Sequence, residues 1–322
     1  MPVTAYRSVT VGVSDLDRSL RLFRDVMQLR LEHAGDVSRD LLDAWGLGAG
    51  VRARSARLSC KGYPFGQLRL VEYTPTPAIR VRDDFRPGAP DSPLAVGPKA
   101  IDFYVADPIG PWLERVIREG CVARSAPRRH VIGHSESEEV VVSGPDEVPI
   151  LLMVGHRHAP TSLRPGSPDG PFSEIATSSV FCGDLAQSRR FYGEGLGLVP
   201  VNDAETPVQY RDLVADLVGA PPGTRIHFLL YAQRGEASGK TLLIHFPGLD
   251  SGRLTGRMRP GHLGFSLFSH DAEDLDRLAR ELPGLGGTIV TSPTVVGTER
   301  GPRRLMLVRG PNEEMLELSE PA

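Results

Sequence analysis

Two side chains near the end of the chain are of types that bind divalent metals. His262 stands at the start of the alternating stretch HLGFSLF, and Glu317 lies inside the final stretch MLELSE. A neutral imidazole and a carboxylate are a common ligand pair for zinc, iron or manganese. Without a metal, the carboxylate in an apolar site could serve as a general base. Either chemistry requires the two side chains to meet in one cavity.

The elements around these residues follow an internal repeat. SVTVGVSDLDRSLRLF begins at Ser8, TSSVFCGDLAQSRRFY begins at Thr177, and Asp15 and Asp184 then fall at the same place. Each copy reads as a strand, an Asp that caps a helix, and a short amphipathic helix. AIDFYVADPIGPWLERVI and HLGFSLFSHDAEDLDRLA repeat the pattern more weakly. Alternating stretches that suit a sheet follow each helix.

The repeat predicts an α+β protein built from four βαβββ units. We expect unit one to end near residue 75, unit two to span about 98–156, unit three about 172–247 and unit four to run from about 260 to the end. The Pro- and Gly-rich stretch 157–171 predicts a linker. If neighbouring units pair, the chain has an N-terminal domain over 1–156 and a C-terminal domain over 172–322.

The composition limits the class of protein and its partners. The chain has 322 residues, a net charge of −3 and 24 % charged residues, which argues against nucleic acid as the main partner. No apolar run reaches the roughly 18 residues of a membrane span, and no leader sequence is visible. The scattered Cys60, Cys121 and Cys182 indicate reduced thiols. We expect a cytoplasmic protein that binds a small molecule and not a membrane, with a homodimer left open.

The motifs resemble those of the vicinal oxygen chelate superfamily, which includes glyoxalase I, bleomycin-resistance proteins and extradiol dioxygenases. VTVGVSDLDRSLRLFRDVMQL and FCGDLAQSRRFYGEGLGL are similar to its opening strand–helix motif, and GPNEEMLEL is similar to its closing motif. The resemblance implies that paired units form two curled, glyoxalase-like sheets around cavities. It also implies metal ligands on the first and last strands of each unit.

In the N-terminal half, the ligand positions implied by the resemblance hold no usual metal ligand. They are occupied by Ser8, Arg69, Ala100 and Leu151. A guanidinium cannot bind a metal cation. We therefore expect this half to lack a metal site, and we expect Arg69 to pair with Asp102 inside its cavity.

In the C-terminal half, the corresponding positions are occupied by Thr177, Leu242, His262 and Glu317. His262 and Glu317 match two of the three ligands that the resemblance implies for an extradiol enzyme, whereas Thr177 departs from the third. The cofactor expected is a divalent metal, Fe(II), manganese or zinc, and a site without metal stays open. His227, in TRIHFLLYA, falls near the place of an acid–base histidine in such enzymes.

The resemblance leaves two functions open, because this fold hosts many chemistries. The first is an enzyme with His227, His262 and Glu317 as catalytic residues, acting on an aromatic or polyketide-like molecule. It is a dioxygenase, or a lyase or isomerase; without metal, Glu317 is the base of an isomerase or cyclase. The second is a protein that sequesters a drug or metabolite. The His/Glu pair favours the enzyme, since binding alone needs no such pair. By parity or position, substrate contacts are expected from Thr177, Ser179, Tyr210 and Ser266.

Overall fold

The computed structural model describes residues 2–60, 63–85, 88–157 and 170–322. Unit one contains β1 (Val3–Val13), α1 (Leu16–Leu20), β2 (Arg30–Asp36), α2 (Arg39–Ala44), β3 (Arg52–Ser59) and β4 (Gln67–Thr74). Unit two contains β5 (Gly97–Val105), α3 (Ile109–Arg118), β6 (Val122–Ala123), β7 (Arg128–Ile132), β8 (Ser135–Ser143) and β9 (Pro149–Arg157). Most of the expected linker, 157–171, lies outside the described residues.

The second half of the chain repeats this order. Unit three contains β10 (Phe172–Cys182), α4 (Leu185–Arg189), β11 (Val199–Glu205), α5 (Arg211–Val218), β12 (His227–Ala232) and β13 (Lys240–His245). Unit four contains β14 (Gly264–Ala272), α6 (Leu275–Glu281), β15 (Thr288–Thr298), β16 (Gly301–Arg309) and β17 (Met315–Pro321). Short π-helical or 3-10 segments occupy Arg21–Val26, Pro145–Glu147, Arg190–Gly195, Val208–Tyr210 and Leu282–Leu285.

The helices that follow the first strands begin where the sequence predicts. The Asp15 carboxylate accepts a hydrogen bond from the Arg18 N–H at 2.8 Å, and Asp184 accepts one from the Gln187 N–H at 3.0 Å. Each bond satisfies a backbone donor that the first helical turn leaves free. Within the described residues, no helix is long and apolar enough to cross a membrane.

The strands form two curled sheets, each built from two units. Units one and four form the one–four sheet, in the order β15-β16-β17-β14-β1-β4-β3-β2. Units two and three form the two–three sheet, in the order β11-β12-β13-β10-β5-β9-β8-β6, with β7 paired to β8. The α+β fold and the curled sheets expected from the sequence are confirmed.

The units pair differently from the arrangement expected above. Strand β1 runs antiparallel to β14, with Ser8 opposite Ser269, and β5 runs antiparallel to β10, with Asp102 opposite Thr177. Dividing the chain into 1–156 and 172–322 therefore cuts through both sheets. Because all four units present a similar strand at their free edge, the repeat itself carries no information about which edges meet.

The two connectors that link the sheets, from β4 to β5 and from β13 to β14, lie side by side. The connector from β4 to β5 forms bridges with the connector from β13 to β14, at Arg80 opposite Leu263 and at Val96 opposite Arg253. The Arg257 side chain also donates to the Arg80 carbonyl, its Nε lying 2.9 Å from that oxygen. Each connector carries the chain from one sheet to the other, so their association places units one and four together.

Candidate functional site

A cavity of about 680 Å³ lies over the centre of the two–three sheet. Alternate residues of a strand point to the same face, and strands on both sides of β10 contribute such residues to the lining. Its floor and walls include Asp102 and Tyr104 of β5, Leu151 and Met153 of β9, Thr177 of β10, Phe228 and Leu230 of β12, and Lys240 and Leu242 of β13. The lining is mainly apolar, with a few buried polar groups, as in binding sites for small organic molecules.

Three polar residues form a row across the middle of this cavity. Thr177 is opposite Lys240 in the pairing of β10 with β13, and opposite Asp102 in the pairing of β10 with β5. The three residues are 6 %, 4 % and 1 % exposed, respectively. All three line the cavity, so an amine, a hydroxyl and a carboxyl group are presented together to whatever occupies it.

The Asp102 carboxyl group is held in an environment that favours its neutral form. Burial raises its pKa well above the ordinary value, and the nearby Glu139 carboxylate adds to the effect. The Ser179 hydroxyl, 3.1 and 2.9 Å from the two carboxyl oxygens, and the Lys240 side chain act in the opposite direction but do not overcome burial. A neutral carboxyl group can donate a hydrogen bond, which a carboxylate cannot.

The Lys240 amine is shifted toward its neutral form as well. Burial lowers the pKa of Lys240, and the carboxyl groups of Glu174, Asp102 and Glu236 only partly oppose this effect. The pKa values of the acid and the base in this row therefore move toward each other. Buried ionisable groups with shifted pKa values that face a cavity are typical of functional sites.

A second ionisable pair lines the same cavity. His130 on β7 and Glu139 on β8 have their Nε2 and Oε2 atoms 3.3 Å apart. Burial alone lowers the pKa of His130, but the Glu139 charge outweighs burial and raises it. The pKa of Glu139 is lowered overall, because His130 and Ser137 outweigh the effect of burial. These directions indicate a charged pair.

The centre of the one–four sheet carries an ion pair, and the smaller cavities that adjoin it measure about 270 and 60 Å³. The Arg69 Nη2 atom lies 3.1 Å from Glu317 Oε1 and 3.1 Å from the Ser269 hydroxyl, while its Nε donates to Thr10 Oγ1 at 2.9 Å. The Trp45 indole N–H donates to the other Glu317 oxygen at 2.8 Å. Both carboxylate oxygens of Glu317 are thus already bonded.

The structure separates His262 from Glu317, which corrects the predicted metal and catalytic pair. Glu317 on β17 is opposite Ser269 on β14, seven positions beyond His262. At about 3.3 Å per residue, that distance along the chain is about 23 Å. The His262 ring instead lies in the connector, its Nδ1 atom 2.8 Å from the Arg257 carbonyl oxygen.

His227 also lies away from the cavity. Phe228 and Leu230 of β12 line the cavity, so His227 points to the opposite face by alternation. Its Nε2 atom lies 2.7 Å from Asp203 Oδ1. The predicted acid–base role in the cavity is therefore corrected: His227 belongs to an ion-pair network on the outer side of the strand.

The residues predicted to bind substrate are divided between the two sheets. Thr177 lines the cavity, and Ser179 supports Asp102 from the same face. Tyr210 lies in a 3-10 turn and packs on an apolar cluster beside the cavity, but it does not belong to the cavity lining. Ser266 donates to the Thr10 carbonyl at 3.1 Å in the one–four sheet, away from the cavity.

The expected pairing of Arg69 with Asp102 is corrected in the same way. Arg69 belongs to the one–four sheet and binds Glu317. Asp102 belongs to the two–three sheet and accepts from Ser179. The two residues sit in neighbouring units along the chain, but those units do not share a sheet.

The residues at the centres of the two sheets do not fit a divalent metal. In the one–four sheet, the Arg69 guanidinium lies beside Glu317 and occupies its carboxylate. In the two–three sheet, the row places the Lys240 side chain next to Thr177, close to the Asp102 carboxyl group. Leu151 and Leu242 offer no donor atoms. Among the described residues, no group of three or more His, Cys, Asp or Glu side chains is placed to hold a metal ion. Carboxylate and imidazole clusters are what such metals require.

Sequence reasoning missed Lys240, His130 and Glu139 as cavity residues. Lys240 lies two positions before Leu242, so its strand parity could have placed it inward. Its position opposite Thr177, and hence near Asp102, depends on the pairing of β10 with both neighbours. His130 lies on β7 and is buried, and its side chain lines the cavity.

The comparisons with known proteins agree with this architecture. Residues 174–318 match the model of the Glyoxalase/Bleomycin resistance protein/Dioxygenase superfamily. Residues 174–318 therefore carry the sequence pattern of this superfamily. The resemblance seen in the sequence motifs is thus confirmed. No curated protein matches the chain.

Members of the superfamily with solved structures share the fold over nearly the whole chain. Glyoxalase I from Zea mays is 15 % identical, with a TM-score of 0.61 and coverage of 98 % of this chain and 92 % of that one. A putative dioxygenase from Bacillus subtilis subsp. subtilis str. 168 is 14 % identical, with a TM-score of 0.59 and coverage of 99 % and 86 %. At these identities the likeness shows the fold alone.

Proposed function

We propose that this chain binds a small amphipathic carbonyl compound in the cavity of the two–three sheet and moves a proton next to the carbonyl group. The observation that carries the proposal is the row of Lys240, Thr177 and Asp102 beneath a cavity of about 680 Å³. This row places a base, a hydroxyl and an acid side by side, with the apolar wall residues and the His130–Glu139 pair around them.

The two ionisable groups have complementary roles in the proposed reaction. In its neutral form, which burial favours, the Lys240 amine removes a proton from the carbon next to the carbonyl group. The neutral Asp102 carboxyl group donates a hydrogen bond to the carbonyl oxygen, where negative charge develops as the enolate forms. Return of the proton from Lys240 to the same or another carbon completes an exchange or an isomerisation.

The cavity walls favour an aromatic or polyketide-like ligand. Leu151, Met153, Phe228, Leu230 and Leu242 provide flat and branched apolar surface around the polar row. Burial of a ring against these side chains excludes water, and a less polar surrounding strengthens the hydrogen bond to the developing oxyanion. Because these apolar side chains offer no hydrogen-bond partners, the polar atoms of the ligand are oriented toward the row.

The proposed chemistry uses neither Glu317 nor a divalent metal. Glu317 is held by Arg69, Ser269 and Trp45 in the other sheet, which argues against its predicted role as a base. The predicted iron, manganese or zinc has no suitable set of donors at either sheet centre. Lys240 and Asp102 are therefore the proposed catalytic residues.

Hydrogen exchange into acetophenone tests the proposal. We expect the protein in deuterated buffer to accelerate deuteration of the acetophenone methyl group, followed by proton NMR. Lys240→Met and Asp102→Asn should each lose most of this acceleration. The matched control is His227→Gln, on the outer face of β12, which should retain the wild-type rate.

Two results oppose the proposal in different ways. Binding of acetophenone without any acceleration of exchange overturns the catalytic part and favours sequestration of the ligand. Acceleration that survives both Lys240→Met and Asp102→Asn removes the row from the mechanism.

A further inference from the structure

A second, smaller chamber lies beside the proposed active site, on the same face of the two–three sheet. It has a volume of about 50 Å³. Its walls are formed almost entirely by apolar side chains, among them Val141, Val214, Leu217, Val218 and Ile244. Val214, Leu217 and Val218 come from α5, which covers this side of the sheet. The chamber is therefore apolar, and α5 closes one side of it.

The chamber adjoins the main cavity through a shared wall. Both spaces are lined by His130, Glu139, Leu151, Phe228 and Leu242. We call this shared wall the neck. Three of its five members are apolar, so an apolar group can pass between them without losing hydrogen bonds.

The neck stands close to the polar row. Leu151 is opposite Asp102 in the pairing of β5 with β9. Leu242 lies two residues beyond Lys240 on β13, which corresponds to about 7 Å along the strand. An aromatic ring that places its carbonyl group at the row therefore reaches the neck with its opposite end.

We propose that the ligand is an aryl ketone or related carbonyl compound with a short alkyl substituent, and that this substituent enters the chamber through the neck. The inference rests on the function proposed above and specifies the substrate class of that site. Leu151 and Leu242 occupy positions where the family resemblance implied metal ligands. In this chain the same positions form an apolar passage.

The size and chemistry of the chamber limit the substituent. One water-sized group needs about 10–15 Å³ of such space, so the chamber admits about four methyl-sized groups. Lys99 also contributes to the lining, but its ammonium group is engaged by Asp84 Oδ2 at 2.5 Å and the Pro93 carbonyl at 3.1 Å. The site thus favours a short, uncharged alkyl chain over a polar one.

A length series of 4′-alkylacetophenones tests this inference by calorimetric titration of the intact protein. We expect affinity to rise about fourfold per methylene, from methyl through ethyl to butyl, as each group leaves water. The rise should stop between butyl and octyl, where the chamber is full. Leu242→Ala, which widens the neck, should let the octyl compound gain affinity.

Val214→Phe should fill the chamber and remove the gain from ethyl and butyl while acetophenone itself binds as in the wild type. The matched control is Val290→Phe, an exposed position on β15 of the other sheet, which should leave the series unchanged. If Val214→Phe does not fold, Val218→Leu adds a smaller group to the same chamber and should shorten the series.

The outcomes separate the two proposals. Acetophenone that binds, with no gain from ethyl or butyl in the wild type, overturns the chamber as a ligand subsite and leaves the proposed function standing. Equal gains in wild type and in both chamber variants also overturn the subsite. Failure of acetophenone and of every member of the series to bind overturns the proposed function itself.

Discussion

The two sheets have the same architecture but opposite centres. In the one–four sheet, Arg69 and Glu317 meet at 3.1 Å, and the adjoining cavities measure only about 270 and 60 Å³. In the two–three sheet, a cavity of about 680 Å³ lies over the centre, with Lys240 and Asp102 facing it. The comparison shows how one fold can place a fixed ion pair at its centre in one copy and a larger open cavity in the other.

The electrostatics of the two centres differ for a physical reason. Arg69 and Glu317 contact each other directly, so each charge is compensated by its partner. Lys240 and Asp102 are separated by Thr177 in the row, and burial dominates both of their pKa values. Without direct contact between them, burial shifts the pKa of both groups toward their neutral forms.

The largest effect is expected from breaking the ion pair of the one–four sheet. Arg69→Met leaves Glu317 buried beside Ser269 and Trp45 without its cation. We expect a loss of about 3–5 kcal/mol in the free energy of unfolding, measured by urea denaturation near neutral pH. The double variant Arg69→Met/Glu317→Leu should recover most of the loss. A single variant as stable as the wild type would show that the pair is not what holds this centre closed.

A somewhat smaller effect is expected at a contact between units three and four. Glu314, in the turn before β17, accepts from the Tyr192 hydroxyl at 2.8 Å and from the Asn312 N–H at 2.6 Å. Burial raises the pKa of Glu314 to about 7. The stabilisation from its neutral form is complete below the ordinary pKa of a glutamate and is lost as the pH rises through about 7.

Glu314→Gln keeps the neutral form at all pH values. We expect the variant to be about 2–3 kcal/mol more stable than the wild type near pH 8, and about equal to it near pH 4. Denaturation curves at the two pH values measure this difference. Stability curves that run parallel over the whole pH range would rule out titration of Glu314.

In the two–three sheet, Lys240→Met should affect activity far more than stability. We expect at least a roughly hundredfold loss of acetophenone exchange, because a positioned general base contributes about that much. The free energy of unfolding should stay within about 1 kcal/mol, since the methionine retains the apolar stem and removes a buried amine. Thermal melts alongside the NMR assay compare the two. A marked fall in stability with unchanged exchange would reverse the contrast between the sheets.

The smallest effect is expected at His262. His262→Ala removes one bond to the Arg257 carbonyl, so we expect a loss of about 1 kcal/mol or less in unfolding free energy. Acetophenone exchange should not change, because His262 lies in the connector outside the cavity. Loss of exchange in this variant would restore the histidine to the active site.

The repeat in the sequence predicted the units but not their partners. Asp15 and Asp184 cap equivalent helices, and both caps could be predicted because capping depends only on residues close in sequence. The choice of β14 instead of β5 as the partner of β1 depends on long-range contacts between connectors, which leave no periodic pattern. Because the pairing of units was predicted wrongly, Glu317 and Thr177 were expected in one cavity, whereas they lie in different sheets.

Part of the cavity lining could be predicted from the alternation of side chains along the strands. Asp102 and Thr177 were both placed inward, and both line the cavity. His262 was misplaced because the strand begins at Gly264, after the position that the motif assigned to it. Lys240 could be recognised as a partner of Asp102 only once β5, β10 and β13 were known to be neighbours.

The proposed contrast between the two sheets can be tested in a crystal structure of the protein with 4′-butylacetophenone. We expect the ligand in the cavity of the two–three sheet, with its carbonyl oxygen within hydrogen-bonding distance of Asp102 or Lys240, and the Arg69–Glu317 pair unchanged. A ligand bound at the centre of the one–four sheet, with that ion pair opened, would contradict this expectation.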